Sequence, residues 1–124
     1  MNVVDSSAWL EYFADGSNAK RFSAAIENTG ELIVPVISIF EVFKRVLQQR
    51  TEGEALKAVA LMQQGQVVGL ELPLALSAAK LSAELGLPMA DSIIFATARA
   101  YQATLWTQDV DFAGLAGVRY FACK

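Results

Sequence analysis

The stretch that decides the fold is Asn2-Val3-Val4-Asp5-Ser6-Ser7-Ala8, a short apolar run that meets an acid and two hydroxyl residues. Asn2 to Val4 predicts a buried strand, and the hydroxyls after Asp5 are good caps for a helix from Ala8 to Ala14. Open α/β sheets place their sites where strands end and helices begin. Asp5 is therefore a candidate functional residue.

Three more acids lie where an apolar segment meets a helix start or a turn. They are Glu41 in Ile37-Ser38-Ile39-Phe40-Glu41, Asp91 in Pro88-Met89-Ala90-Asp91-Ser92, and Asp109 in Leu105-Trp106-Thr107-Gln108-Asp109. Predicted strands alternate with predicted helices along the chain, which is typical of a mostly parallel sheet covered on both faces. Right-handed crossovers bring such junctions to one edge of the sheet. The prediction is one α/β domain, residues 1–124, with four acids at one edge.

Each acid also has a purely structural interpretation. Ser38 and Glu41 have the spacing of a capping box, and Asp91 would interact favourably with the dipole at a helix start. Asp5 and Asp109 could simply end their strands. If the four carboxylates converge, however, they repel one another, and a bound cation makes the cluster tolerable. Because the chain has no His, the expected ion is one with oxygen ligands, Mg²⁺ or Mn²⁺, rather than zinc.

Composition excludes several classes of function. The absence of His removes Ser-His and Cys-His catalysis, and the single Cys123 excludes an internal disulfide framework. Cys usage of this kind fits a reducing cytoplasm, and no apolar run approaches the ~20 residues of a membrane span. The net charge of −3 argues against a chain-wide electrostatic grip on nucleic acid. A hydrophobic content of 54% predicts a large core or a further apolar surface covered by a partner.

Some basic residues could serve an acidic site. Lys44 and Arg45 follow Glu41 directly and could guide a phosphate backbone, although a solvated helix face explains them equally well. Arg99 lies two turns after Asp91 on the same predicted helix and could lean toward the acids or bind phosphate. A solvated Arg is the competing interpretation.

At these motifs the chain resembles the PIN-domain family, and within it the VapC-type toxin ribonucleases of bacterial toxin–antitoxin pairs. The matching stretches run from the first predicted strand nearly to the last: Val3-Val4-Asp5-Ser6-Ser7, Ser38-Ile39-Phe40-Glu41-Val42, Leu87-Pro88-Met89-Ala90-Asp91-Ser92-Ile93-Ile94-Phe95-Ala96-Thr97-Ala98 and Leu105-Trp106-Thr107-Gln108-Asp109-Val110-Asp111-Phe112. Each motif alone is loose, but four in the family's order on a chain of the family's size form a specific signal.

The resemblance implies a three-layer α/β/α sandwich and an acidic pocket that binds Mg²⁺ or Mn²⁺ and cleaves RNA internally. The residues that match the family's acidic quartet are Asp5, Glu41, Asp91 and Asp109. Ser6 and Thr107 match its small polar supporting residues. Asp111 is an alternative fourth ligand, and we favour Asp109 with Asp111 in support. The implied partners are a VapB-like antitoxin whose C-terminal segment covers the active site, and a second copy in a homodimer.

Two other functions remain possible from the sequence. A receiver-type phosphoacceptor domain is similar in length, but it needs adjacent acids after the first strand, where this chain has Asp5-Ser6-Ser7. A PIN-like module without catalysis, which acts only as an assembly partner, is the second alternative. The presence of all four acids argues against lost activity.

Overall fold

A parallel sheet lies at the centre of the molecule, whose computed structural model describes residues 1–123. Within these residues the sheet has five strands in the order β3-β2-β1-β4-β5, and every neighbouring pair is parallel. The strands are β1 (Asn2–Val4), β2 (Leu32–Pro35), β3 (Gln66–Val68), β4 (Thr104–Thr107) and β5 (Val118–Tyr120). The mostly parallel sheet that the sequence predicts is confirmed.

Helices connect the strands. They are α1 (Ser6–Phe13), α2 (Ala19–Ile26), α3 (Val36–Gln49), α4 (Glu52–Met62), α5 (Leu72–Leu85) and α6 (Met89–Ala100). Short 3₁₀ turns span Thr29–Glu31 and Val110–Phe112. Among the described residues, no helix is both long enough and apolar enough to cross a bilayer.

Successive strand residues point to opposite faces of the sheet and build two separate cores. Val3 and Leu105 pack with α5 and α6 on one face. Val4 and Trp106, the next residue of each strand, pack with residues of α1 to α4 on the other face. Because helices cover both faces of a parallel sheet, the central strands β1, β2 and β4 are mostly apolar and buried rather than alternating. The result is the predicted three-layer α/β/α arrangement.

The capping-box interpretation of Ser38 and Glu41 is wrong. Helix α3 begins at Val36, directly after Pro35, which places Ser38 inside the first turn. The Ser38 side chain is buried, and its hydroxyl has no hydrogen-bond partner among the described residues. The β-branched pair before Ser38 resembles a continuing strand, which explains why the sequence predicts a later start.

The caps of two other helices also differ from prediction. The carboxylate of Asp5, rather than a serine hydroxyl, caps α1 by accepting a hydrogen bond from the Ala8 amide at 3.0 Å. The apolar, alanine-rich pattern after Pro88 predicts a helix from Met89 to Ala103, but α6 ends at Ala100, because Gln102 adopts a left-handed conformation with φ of 51°. Strand β4 starts two residues after Gln102, at Thr104, whose amide donates a hydrogen bond to the Met1 carbonyl at 3.0 Å.

The strand order has a switch point between β1 and β4. The chain builds β2 and β3 on one side of β1, then crosses to place β4 and β5 on the other side. Ligands of open α/β sheets bind in the crevice at the carboxyl ends of the two strands where the order reverses. Receiver domains follow a different order, 2-1-3-4-5, so the phosphoacceptor alternative does not fit this topology.

Candidate metal centre

Asp5 lies at the bottom of the crevice, directly after β1. Its side chain is only 2% exposed, and protein donors bind both of its carboxylate oxygens. Oδ2 accepts a hydrogen bond from Thr107 Oγ1 at 2.8 Å, and Oδ1 accepts one from the Ala8 amide at 3.0 Å. Ser7 Oγ donates to the same carboxylate at 2.8 Å and 3.0 Å. These bonds fix the orientation of the buried carboxylate.

The environment of Asp5 makes its ionisation costly. Burial raises the pKa of Asp5 from 3.8 to about 6, and the nearby charge of Asp109 contributes in the same direction. The hydrogen bonds from Thr107, Ala8 and Ser7 lower the pKa and so limit the shift. Burial without donors disfavours a carboxylate much more strongly. Asp5 is therefore a carboxylate that can ionise near neutral pH, particularly beside a cation.

The end of β4 supplies the opposite wall of the crevice. Thr107 Oγ1, which donates to Asp5, also accepts a hydrogen bond from the Asp109 amide at 2.9 Å. Asp109 Oδ1 in turn accepts a bond from the Asp111 amide at 2.9 Å and caps the 3₁₀ turn that follows. Thr107 thus links the acid after β1 to the acids after β4.

Three carboxylates come together in front of this crevice. Asp91 in the first turn of α6, Asp109 and Asp111 each offer one oxygen, and these oxygens lie within 4.8 Å of one another. Asp91 and Asp109 are partly buried, while Asp111 is exposed. The structure therefore brings both Asp109 and Asp111 to Asp91, and its geometry does not separate the two as fourth ligand.

Asp91 carries the strongest electrostatic cost of the cluster. Burial and then the charges of four other acids raise its pKa from 3.8 to about 7; the acids are, in order of effect, Asp109, Asp5, Glu41 and Asp111. Among residues 1–123, no basic side chain contributes to lowering this pKa. A cation bound among these carboxylates would reverse the sign of the local field and favour their ionised forms.

Glu41 reaches the site from the second turn of α3. Ser6 Oγ, at the start of α1, donates a hydrogen bond of 2.6 Å to Glu41 Oε1. The Glu41 charge contributes to the raised pKa of Asp91, so the two carboxylates are close enough to repel each other. Asp5 and Glu41 thus lie beside Asp91, Asp109 and Asp111, but they are not among the three carboxylates whose oxygens lie within 4.8 Å of one another.

The donor set fits a small divalent cation. Mg²⁺ binds oxygen at ~2.1 Å in octahedral geometry, so oxygens on opposite sides of the ion lie roughly 4.2 Å apart. Oxygens already within 4.8 Å reach such positions by small side-chain rotations. Carboxylates without sulfur or imidazole ligands favour Mg²⁺ or Mn²⁺ among the common metals. Water molecules complete the coordination of Mg²⁺ in most proteins.

The basic residues expected near the site take different positions. Arg45 lines a groove of about 600 Å³ between α1, α3 and α4, which also reaches Ser7 and Gln108 beside the acids. Lys44 points elsewhere, with its Nζ 5.9 Å from the centre of the Phe40 ring. Arg99 does not reach the acids, because it lies in the last turn of α6 and stacks over Phe95 at 5.1 Å.

Two residues beside the acids carry contacts that the sequence analysis does not assign. The Ser7 hydroxyl donates a hydrogen bond to the carboxylate of Asp5. A short hydroxyl side chain two residues after an acid can make such a local bond. Asn18 bonds to Gln108 across a sequence separation of 90 residues. The first contact has a local signal in the Asp-x-Ser pattern, whereas the second has none.

Comparison with known proteins gives one family and several solved structures. The PIN domain profile matches residues 3–118. No curated protein sequence matches the chain. A toxin–antitoxin complex from Klebsiella pneumoniae superimposes with a TM-score of 0.83 at 22% identity, covering 98% of this chain and 99% of that one.

Two further structures share the fold at lower similarity. VapC20 of Mycobacterium tuberculosis, a toxin that cleaves the sarcin–ricin loop, has a TM-score of 0.78 at 21% identity and covers 96% of this chain and 99% of its own. DNA-bound VapBC from Salmonella typhimurium has a TM-score of 0.74 at 16% identity, with 98% of each chain covered. At these identities the likeness establishes the fold.

Proposed function

The chain belongs to the PIN-domain family, and on this premise we propose that it is a metal-dependent endoribonuclease, the toxin of a toxin–antitoxin pair. The observation that carries the proposal is the group formed by Asp91, Asp109 and Asp111, whose oxygens lie within 4.8 Å of one another at the switch point of the sheet. Uncompensated negative charge at this place favours a bound cation.

Each polar side chain of the site has a role in this proposal. Asp91 and Asp109, with Asp5 and Glu41, would hold Mg²⁺ or Mn²⁺ directly or through its water molecules. When bound, the ion would activate water and stabilise the charge that develops on the scissile phosphate. Thr107 orients Asp5, Ser6 orients Glu41, and Asp111 supports Asp109 or replaces it as ligand.

RNA is the substrate class that suits this site and its neighbours. A phosphodiester approaches five carboxylates only if their charge is neutralised, which couples substrate binding to the ion. Arg45 lines the groove that also contains Ser7, which supports a role for it in contacting the phosphate backbone of RNA. Among the structural neighbours, VapC20 is a toxin that cleaves the sarcin–ricin loop, which supports RNA over other phosphodiesters. We therefore propose that the chain acts on RNA in the cytoplasm.

A cleavage assay tests the proposal. Purified chain, freed of any bound partner, is incubated with total tRNA and rRNA in Mg²⁺, in Mn²⁺ or in EDTA. Asp91→Asn removes one carboxylate from the site, and Asp15→Asn makes the same change at an exposed position where φ of 52° suits asparagine. We expect discrete fragments from the wild type and from Asp15→Asn with metal present, and none from Asp91→Asn.

Two results contradict the proposal. Fragments that persist in EDTA or with Asp91→Asn would show that the observed cleavage depends neither on a metal nor on Asp91. Folded wild-type chain that binds Mn²⁺ but cuts no RNA in the mixture favours the assembly-module alternative.

We further propose that an antitoxin segment occupies the groove between α1, α3 and α4. The groove is large enough for several side chains, at about 600 Å³, and it ends beside the acids at Ser7 and Gln108. Its basic residues, Arg45, Arg50 and Lys57, and its acids, Glu11 and Glu54, offer both signs of charge to a partner chain. Leu10→Arg, which fills the groove with charge, should abolish co-purification of the antitoxin; undiminished co-purification contradicts this placement.

We also propose that the chain pairs with a second copy. Several apolar side chains are strongly exposed, including Leu72 (72%) and Leu76 (62%), which share one face of α5. Exposed apolar surface of this kind is typical of interaction sites. Light scattering of the purified chain should give twice the monomer mass of 13.4 kDa, and a monomer at micromolar concentration would contradict the pairing.

A further inference from the structure

Asn18 is a fully buried polar residue at the corner between α1 and α2. Its side chain is 0% exposed, and its backbone amide is held by Glu11 Oε2 at 2.9 Å. Its Nδ2 atom donates two hydrogen bonds, one to Gln108 Oε1 at 3.1 Å and one to the Ala122 carbonyl at 3.0 Å. An asparagine amide has two N–H donors, so both are used here.

Gln108, the partner of Asn18, lies between Thr107 and Asp109. Thr107 binds Asp5 at 2.8 Å, and the Asp109 amide binds Thr107 at 2.9 Å. The Asp109 carboxylate then holds the Asp111 amide at 2.9 Å. Any displacement of Gln108 along the backbone is therefore transmitted to Asp109 and to the oxygen it offers to the three-carboxylate group.

The C-terminal segment holds the same loop from its other side. The Phe121 amide bonds to the Thr107 carbonyl at 2.9 Å, immediately before Gln108. Through Ala122, Asn18 is bonded to this segment as well as to Gln108. One buried side chain thus joins three parts of the chain that are distant in sequence: the α1–α2 corner, the loop after β4 and the segment after β5.

We infer that Asn18 is a positioning residue for the acidic site. It holds the loop Thr107–Asp109 in the conformation that presents Asp109 to Asp91, and it acts through Gln108. The inference rests on the proposed function where it concerns the metal, but the fixed loop is a property of the metal-free chain. Outer partners that orient metal ligands change metal affinity by about 10–100-fold when they are removed.

Amide hydrogen exchange of the metal-free chain tests the inference directly. The Asp109 and Asp111 amides report on the loop, and the Ala8 amide, bonded to Asp5, reports on the rest of the site. Asn18→Ala removes the buried partner of the Asn18–Gln108 hydrogen bond. Gln108→Ala removes the same bond through its partly exposed partner. Tyr12→Phe is the control, since it removes an exposed bond between α1 and Glu27 without touching Gln108.

In both Asn18→Ala and Gln108→Ala we expect the Asp109 and Asp111 amides to exchange about tenfold faster, with Ala8 unchanged, and Mn²⁺ affinity to fall by about tenfold. Tyr12→Phe should leave all three amides and the affinity unchanged. The inference would be overturned if exchange of all three amides became equally faster in Asn18→Ala and stayed unchanged in Gln108→Ala. Asn18 would then contribute only to the stability of the core. Unchanged loop amides in both variants would overturn it too.

The same samples separate the two claims. Wild-type chain that shows protected loop amides but binds no Mn²⁺ would contradict the proposed function, and with it the role of Asn18 in a metal site. Wild-type chain that binds Mn²⁺, with both variants binding it equally tightly, would overturn the inference alone.

Discussion

Asp5 stabilises the fold and belongs to the acidic site at the same time. Its carboxylate caps α1 through the Ala8 amide, and its Oδ2 atom accepts the hydroxyl of Thr107. A cap at a helix start contributes on the order of 1 kcal/mol, which offsets part of the cost of burying the acid. Within residues 1–123 Asp91 has no comparable set of donors; burial and the charges of four neighbouring acids therefore raise its pKa further.

The raised pKa values make the metal-free chain less stable as the pH rises. Both acids have a pKa of 3.8 when unfolded, against about 6 for Asp5 and about 7 for Asp91 in the folded chain. Their protonated forms therefore favour folding; this contribution is complete below about pH 4 and is lost as the pH passes 6 and 7. Asp91→Asn should melt on the order of 5 °C above the wild type at pH 8 and close to it at pH 4.

Thermal melting of metal-free protein at the two pH values checks this expectation, with Asp15→Asn as a matched change at an exposed acid. An Asp91→Asn variant that melts no higher than the wild type at pH 8 would show that the folded protein does not bear this electrostatic cost.

Thr107 provides a second test at a single side chain. Thr107→Val keeps the shape of the side chain but removes both the donor to Asp5 and the acceptor for the Asp109 amide. Since the Thr107 hydroxyl lowers the pKa of Asp5, its loss should raise that pKa and move the rise of metal-dependent cleavage to higher pH. At pH 7 we expect about tenfold lower activity. Thr107→Ser, which keeps the hydroxyl, is the control. A pH–rate profile of Thr107→Val identical to that of Thr107→Ser would contradict this role.

Helix α6 connects the site to the core. Asp91 lies in its first turn, and the seven residues from Ser92 to Ala98 are all buried against the sheet and the adjacent helices. Small residues on this helix allow it to pack closely, so larger ones should not fit. Ala98→Leu should reduce the free energy of unfolding by about 1–3 kcal/mol. Ala100→Leu, at an exposed position of the same helix, should have little effect.

Urea unfolding of both variants measures this difference. A loss in Ala98→Leu no larger than in Ala100→Leu would contradict the close packing of α6 against the sheet.

The sequence predicts the elements well where their signals are local. Apolar runs and the residues around Asp5 and Pro88 indicate strands and helix starts, and those elements are present. Boundaries set by tertiary contacts were not predictable: Val36 and Ile37 continue the β pattern of β2 although α3 has already begun. The left-handed Gln102 that ends α6 early has no marker, because glycine is absent there.

The switch point between β1 and β4 determines where the site lies in the molecule. It brings the ends of two strands together, so that Asp5 and Thr107 are in contact although 102 residues separate them in the chain. The motifs predict that the acids share one edge of the sheet. They leave open whether Asp109 or Asp111 faces the ion, and they do not predict that Asn18 holds Gln108, because that contact depends on how distant segments meet.

The position of a bound ion shows whether Asp91, Asp109 and their neighbours form a metal centre. Crystals grown with Mn²⁺ and measured at the manganese absorption edge locate the metal independently of any assumed ligand. We expect an anomalous peak within bonding distance of Asp91 and of Asp109 or Asp111, with Asp5 or Glu41 bonded to the ion or to its water. A peak elsewhere, or none at saturating Mn²⁺, would contradict the account of these acids as a metal centre.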